Sequence, residues 1–352
     1  MPHISCWLQE QIGSAQQEIL FEIYMFEAGD WPGQLLDLLC QKAAAGIQVH
    51  LRLDAVGSRL FPKQWVHRLQ AAGAQFSWYH RLAWHSWERS LRRSHRRLLV
   101  IDGQWLVVGG FVIADAWLGS SNEAPYRDVL LACQGSIATL GRALYLGQKI
   151  IPPAAPNDPN TTLAARILSA SPPQRITLRH RYLAAFRAAR ESIWISTPYF
   201  NPDPQVLSTL YRAVRRGVDV RILLAGRVTD HPLLRLGIQA YYQKLLRHGV
   251  RVYEYQGTFL HAKYVLVDGN WGSVGSANID FLSLWFNREL NLELRGVACT
   301  LLRVLFLREF AVAMEISVEQ WQRRPWYRRP LEWFFAQIDR RIQLHALGSR
   351  RY

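Results

Sequence analysis

The sequence predicts an α/β protein: two tandem α/β/α repeats packed as a pseudo-dimer, with one site at their interface. Three observations carry this. First, "HRRLLVIDGQWLVVGGFV" (His95 to Val112) and "HAKYVLVDGNWGSVGSAN" (His261 to Asn278) align without a gap. Second, the segments upstream of both motifs share one order of strands and helices. Third, a Pro- and Asn-rich stretch from Ile150 to Thr162 reads as a linker between the copies. The expected divisions are 1–149 for the first repeat, 150–175 for the linker and the start of the second repeat, 176–320 for the second repeat and 321–352 for a basic aromatic tail.

Each repeat opens on an apolar strand, "EILFEIYMF" or "SIWISTPYF". In the first, Leu35, Leu36 and Leu39 then recur at helical spacing, and Gly46 suits a helix end. In the second, Leu207, Leu210, Tyr211 and Val214 share one helical face, and Gly217 follows. A β-branched strand comes next in both ("IQVHLRLDA", "VDVRILLAG"). A second helix ends at Gly73 or Gly249, and a short aromatic strand ("AQFSWY", "VRVYEY") leads into the motif. Strands alternating with helices argue for a largely parallel sheet with helices on its faces. Two fused copies of one unit tend to pack like an isologous dimer, which brings equivalent motifs face to face.

The motif itself carries chemistry. Side chains at i and i+2 of a strand share a face, so His261 and Lys263 point one way, as do Ser276 and Asn278 on the next strand. Asp268–Gly269 is a hairpin-turn signal that makes those strands neighbours. The wall so formed holds an imidazole, an ammonium, a hydroxyl and an amide. It has no carboxylate pair or His/Cys set spaced for a metal. A phosphate ester fits: the cation and amide bind its oxygens while the histidine does nucleophilic or proton chemistry. The first copy departs in having Arg97 for Lys, Gly110 for Ser and Val112 for Asn. Arg keeps the charge in a longer, planar group. Val112 removes a hydrogen-bond donor.

Composition bounds the partners. The chain has 352 residues, 49% apolar and 20% charged, which argues against bulk disorder. A net charge of +15 favours a polyanionic partner, either nucleic acid or an anionic membrane surface. No stretch reaches the roughly 18 apolar residues of a spanning helix. The N-terminus lacks the basic-then-apolar pattern of a signal peptide. Cys6, Cys40, Cys133 and Cys299 are scattered, as reduced cysteines of a cytosolic protein would be.

The second motif reads H-x-K-x4-D-x6-G-S-x-N, and with its partial first copy it resembles the signature of the phospholipase D superfamily. "DAVGS" (Asp54 to Ser58), "STPYFNPD" (Ser196 to Asp203), "FNRELNLELRG" (Phe286 to Gly296) and the tail "EQWQRRPWYRRPLEWF" resemble bacterial cardiolipin synthases of the short type without N-terminal membrane helices. The resemblance implies a phosphatidyltransferase that needs no metal or other cofactor. One histidine attacks phosphorus to form a phosphohistidine, and the other acts as acid and then base. It implies catalytic roles for His95, Arg97, Asp102, His261, Lys263 and Asp268, phosphate binding by Ser276 and Asn278, and support from Asp128 and Glu289. Asp128 follows His95 by 33 residues, and Glu289 follows His261 by 28. Asp102 and Asp268 suit holding the Asp-Gly turn better than touching substrate, although the family signature counts them. Superfamily resemblance favours His95 as nucleophile, whereas the completeness of the second motif favours His261.

The implied partners are phosphatidylglycerol and the membrane surface, with peripheral attachment at the cytoplasmic face of the bacterial inner membrane. Leu331, Phe334, Phe335, Ile338 and Ile342 form one helical stripe in the tail, with Arg340 and Arg341 off it, and Trp321, Trp326 and Trp333 suit a headgroup interface. An insertion between Tyr79 and His95 adds Trp84, Trp87, Arg89, Arg92 and Arg93 beside the first motif, where they could embrace an anionic headgroup. Two other readings stand: a phosphodiesterase acting on nucleic acid, with bases stacked on those tryptophans, and a non-catalytic lipid-binding paralogue with a degenerate first motif.

Overall fold

The computed structural model describes residues 4–80, 92–119, 124–148, 163–170, 177–326, 329–335, 337 and 341. The linker Ile150–Thr162 and the insertion residues Trp84, Trp87 and Arg89 lie outside them, as do Ile338, Arg340 and Ile342 of the tail.

Two sheets hold the chain. The first contains β1 (Glu18–Ile23), β2 (Gln48–Asp54), β3 (Gln75–Tyr79), β4 (Leu98–Ile101), β5 (Trp105–Gly109) and β6 (Leu130–Gln134), in the order β3-β2-β1-β4-β5-β6. β1, β2 and β3 are parallel, and β4, β5 and β6 run antiparallel to their neighbours. The second sheet repeats this plan. It contains β7 (Leu163–Ala170), β8 (Ser192–Ser196), β10 (Asp219–Ala225), β11 (Arg251–Tyr255), β12 (Tyr264–Val267), β13 (Trp271–Gly275), β15 (Glu289–Gly296) and β16 (Ala313–Ile316). The order β16-β11-β10-β8-β12-β13-β15-β7 shows the six equivalent strands with one antiparallel strand added at each edge. β9 (Phe200–Asn201) and β14 (Ile279–Asp280) form a separate two-stranded ribbon.

The periodicities behave as expected. β1 is buried along its whole length, because helices and the other half cover both faces. The helix Asp30–Ala44 buries Trp31, Leu35, Leu36 and Leu39. The helix Pro204–Arg215 buries Val206, Leu207, Leu210 and Tyr211, and Val214 is partly buried against them. Its start is set by Asp203, which accepts the backbone N–H groups of Gln205 and Val206, with Pro204 in the first turn. Such a cap contributes about 1 kcal/mol.

One apolar core joins the halves. Leu20, Leu98, Val100 and Val108 of the first sheet belong to the same cluster as Phe259, Tyr264, Leu290 and Leu292 of the second. The backbone also crosses the seam, twice and in matching fashion. His95 N–H donates to the carbonyl of Arg288, and Arg288 N–H donates to that of Arg93, each at 2.9 Å. His261 N–H donates to the carbonyl of Arg127, and Arg127 N–H donates to that of Phe259, each at 2.8 Å.

Candidate active site

Those crossed pairings decide how the site is built. Arg288 precedes Glu289 and Arg127 precedes Asp128, so each acid is delivered to the histidine of the other repeat. His95 Nδ1 lies 2.9 Å from Glu289 Oε1, and His261 Nδ1 lies 2.8 Å from Asp128 Oδ2. Both carboxylates are buried. A carboxylate accepting Nδ1–H leaves Nε2 as the free lone pair, which is the nitrogen a nucleophile or base requires. The remaining acceptor capacity of each acid is also used. Ser276 Oγ donates to Glu289 Oε2 at 2.6 Å, and Trp117 Nε1 donates to Asp128 Oδ2 at 3.2 Å.

The two cations take matching positions. Arg97 Nη1 donates to the carbonyl of His95 at 2.7 Å, and Lys263 Nζ donates to the carbonyl of His261 at 2.5 Å. Both are buried. Arg97 borders the central cavity, and Lys263 is not among the residues that line it. Burial holds the Lys263 ammonium down to about 7, and Arg97 adds to the effect. Burial likewise lowers both histidines to about 4. Arg97 reinforces this at His95 and Lys263 at His261, against the opposing pull of Glu289 and Asp128. Both rings are therefore neutral near pH 7.

The cavity has a volume of about 720 Å³ and is bordered by both repeats: His95, Arg97 and Val112 from the first, His261 and Asn278 from the second. Residues not singled out by sequence complete the wall. The Tyr24 ring meets His95 edge-on at 4.7 Å and lies under Arg97. Trp117 meets His261 edge-on at 5.2 Å. Asp280 also borders the cavity, and burial, with Glu289 nearby, raises its carboxyl to about 6. A tyrosine follows the opening strand in each repeat, Tyr24 directly and Tyr199 three residues on, but at positions that do not correspond, so the sequence offered only a loose signal. Trp117 and Asp280 had none.

Three of the residues that the resemblance named do not border the cavity. Asp102 and Asp268 are not at the cavity. Asp102 accepts the backbone N–H groups of Gln16, Gln17 and Glu18, and Asp268 those of Arg190, Glu191 and Ser192. They tie the hairpin to the start of β1 or β8. Seven residues of extended chain, about 20 Å, separate Asp102 from His95. Both aspartates and the glycines after them have positive φ (53° and 63°; 51° and 66°), as a tight hairpin demands. Ser276 does not border the cavity; its hydroxyl donates to Glu289 and accepts the N–H of Leu290. Asn278 does border the cavity, and Val112 stands at the equivalent place. Gly110, the counterpart of Ser276, has a reason of its own. A Cβ there would sit 2.4 Å from Asp128 Oδ1.

The flanking aromatics divide. Trp321 is buried against Tyr242 and so belongs to the core, not to a headgroup interface. Trp326, Leu331, Trp333 and Phe334 are exposed. Arg93 borders the cavity but is already paired with Asp54 at 2.9 Å. No helix among the described residues is long and apolar enough to cross a membrane. The four cysteines are free thiols.

A duplicated α/β unit with two His-x-cation motifs facing one cavity defines a phospholipase D-like protein. The chain belongs to the family described as "Cardiolipin synthase, PLD-like domain", whose model matches residues 8–124 and 182–306. It is 34% identical over 325 residues to cardiolipin synthase A of Pseudomonas fluorescens strain SBW25, covering 88% of this chain and 67% of that one. It is 32% identical over 339 residues to the cardiolipin synthase of Geobacillus thermodenitrificans, covering 92% and 67%. Its fold is similar to that of the phosphatidylserine synthase of Haemophilus influenzae, with a TM-score of 0.74 at 14% identity, over 96% of this chain and 92% of that one.

Proposed function

We propose that this chain is a phosphatidyltransferase that joins two phosphatidylglycerols into cardiolipin and releases glycerol. The observation that carries the reading is the crossed pair: two neutral histidines, each held through Nδ1 by the other repeat's carboxylate, border one cavity with a guanidinium and an amide. Nε2 of one histidine attacks the phosphorus of the first lipid. The P–O bond to glycerol breaks, and the other histidine supplies the proton to the leaving oxygen. That same histidine then takes the proton from a hydroxyl of the second lipid, whose oxygen displaces the first histidine from phosphorus. The entering phosphodiester offsets the repulsion from Arg97 and Lys263, which lets one ring carry the proton needed to start. Asn278 and Arg97 are the donors for non-bridging oxygens. His95 is the favoured nucleophile on superfamily resemblance. The chemistry calls for no metal. Attachment is peripheral, at the cytoplasmic face of the membrane.

The test is purified protein with phosphatidylglycerol vesicles in EDTA, followed by separation of the lipids. Cardiolipin and free glycerol are expected from wild type. His95→Ala and His261→Ala are each expected to lose on the order of 10²–10⁴ in turnover. Near-normal transfer by either variant overturns the shared site. Cleavage of single-stranded DNA in EDTA with no lipid product favours the phosphodiesterase reading. Lipid binding with no turnover favours the non-catalytic one.

A further inference from the structure

The cavity opens between two loops that occupy equivalent places in the repeats. One follows β2 and carries Arg59 and Leu60; the other follows β10 and carries Arg227, Val228 and His231, leading into the helix Pro232–Gln239 with Leu233 and Leu234. Leu60, Leu234 and Leu282, the last from the short helix Phe281–Trp285, all border the cavity and yet are 60%, 52% and 39% exposed. Leu233 and Val228 beside them are 62% and 50% exposed. Three separate elements thus present aliphatic side chains at one opening.

We propose that these two loops, with the first turn of the helix Pro232–Gln239, form a docking lip that inserts Leu60, Leu233 and Leu234 into the surface of an anionic phospholipid bilayer, so that lipid enters the cavity without crossing water. The proposal rests on the transferase reading for its substrate and adds which face meets the membrane. Charge selects the occupant. Arg59 at the opening and Arg227 beside it are exposed and suit anionic headgroups. The acids bordering the cavity are Glu27, Asp230 and Asp280; burial raises the Asp280 carboxyl to about 6, Asp230 lies 3.7 Å from His231, and the chain as a whole carries a net charge of +15. An anionic surface is therefore preferred to a zwitterionic one. A cavity that must admit two double-chained lipids also needs an apolar threshold, because acyl chains carried through water lose the hydrophobic gain of the bilayer.

A second apolar surface provides the internal control. The helix Val297–Ala311 exposes Val297, Leu301, Val304 and Leu307, and none of them borders the cavity.

The experiment is sedimentation of the full chain with vesicles of phosphatidylglycerol or of phosphatidylcholine, alongside transfer assays on vesicles and on detergent-dispersed phosphatidylglycerol. Leu60→Asp and Leu233→Asp are each expected to weaken binding to phosphatidylglycerol vesicles about tenfold or more, and Arg59→Glu to erase the preference over phosphatidylcholine. The vesicle-to-detergent activity ratio falls in parallel. Leu301→Asp leaves binding unchanged. Circular dichroism melts confirm that each variant is folded. Wild-type binding by folded Leu60→Asp and Leu233→Asp variants overturns the lip, as does release caused by Leu301→Asp alone. Binding is read without turnover, so loss of binding in lip variants of a protein that makes no cardiolipin would overturn the transferase reading and leave the lip standing.

Discussion

Replacing Glu289 by Gln tests the crossed construction directly. Glu289 is buried, accepts Nδ1–H of His95 at 2.9 Å and the Ser276 hydroxyl at 2.6 Å, and lies 194 residues from that histidine in sequence. Gln is close to isosteric, so packing is retained while the charge is lost. A hydrogen bond to a charged group is worth about 1.5–3 kcal/mol, which at about 1.4 kcal/mol per decade is a 10- to 150-fold loss of turnover if the bond acts in the transition state. The loss grows if the amide NH2 turns toward Nδ1, because the ring must then change tautomer. The discriminating assay is nitrogen NMR of labelled histidine. Glu289→Gln is expected to shift the ring nitrogens of His95 and leave those of His261 in place, and Asp128→Asn to do the reverse. Activity should fall in both. If each substitution perturbs the histidine of its own repeat, or if Glu289→Gln turns over like wild type, the crossed pairing is refuted.

Gly110→Ser restores the residue of the second motif, yet it is expected to lower activity at least tenfold while the protein stays folded, because the new Cβ displaces Asp128 from His261; unchanged kcat would contradict this. Asp102→Ala removes an acceptor for three backbone N–H groups far from the cavity. It should cost about 3 kcal/mol in urea unfolding with little change in kcat. Restoring Arg97→Lys and Val112→Asn together should raise turnover about ten- to a hundredfold if Val112 simply lacks a phosphate contact. Lower turnover would show instead that Val112 packs against an acyl chain. The histidines also make stability depend on pH. Their folded values are about 4, below the unfolded value of 6.5, so the unfolded state binds more protons in that window. Stability is complete above about 6.5 and is lost as pH falls toward 4, by up to about 1.4 kcal/mol per pH unit for each ring. A His95→Asn/His261→Asn variant should show a shallower fall, read as the urea midpoint against pH.

The sequence by itself determined the repeat, the alternation of strand and helix, both histidines, both cations and both acids. These rest on local rules. Apolar spacing of 2 or 3.6 residues selects strand or helix. Asp102–Gly103 and Asp268–Gly269 turn because aspartate tolerates and glycine favours positive φ. Only the tertiary structure decided which acid serves which histidine. The two bonds span 133 and 194 residues, and each depends on a few backbone hydrogen bonds across the seam that leave no trace in local spacing. The same holds for residues whose type had suggested another task. Ser276 faces Glu289, and Trp321 packs on Tyr242, because the fold reaches those groups first. A pattern of residue types specifies which side chains are near one another along a strand; which buried partner satisfies each polar atom is settled by how the two halves close, since an unpaired carboxylate or N–H at that seam would be too costly to bury.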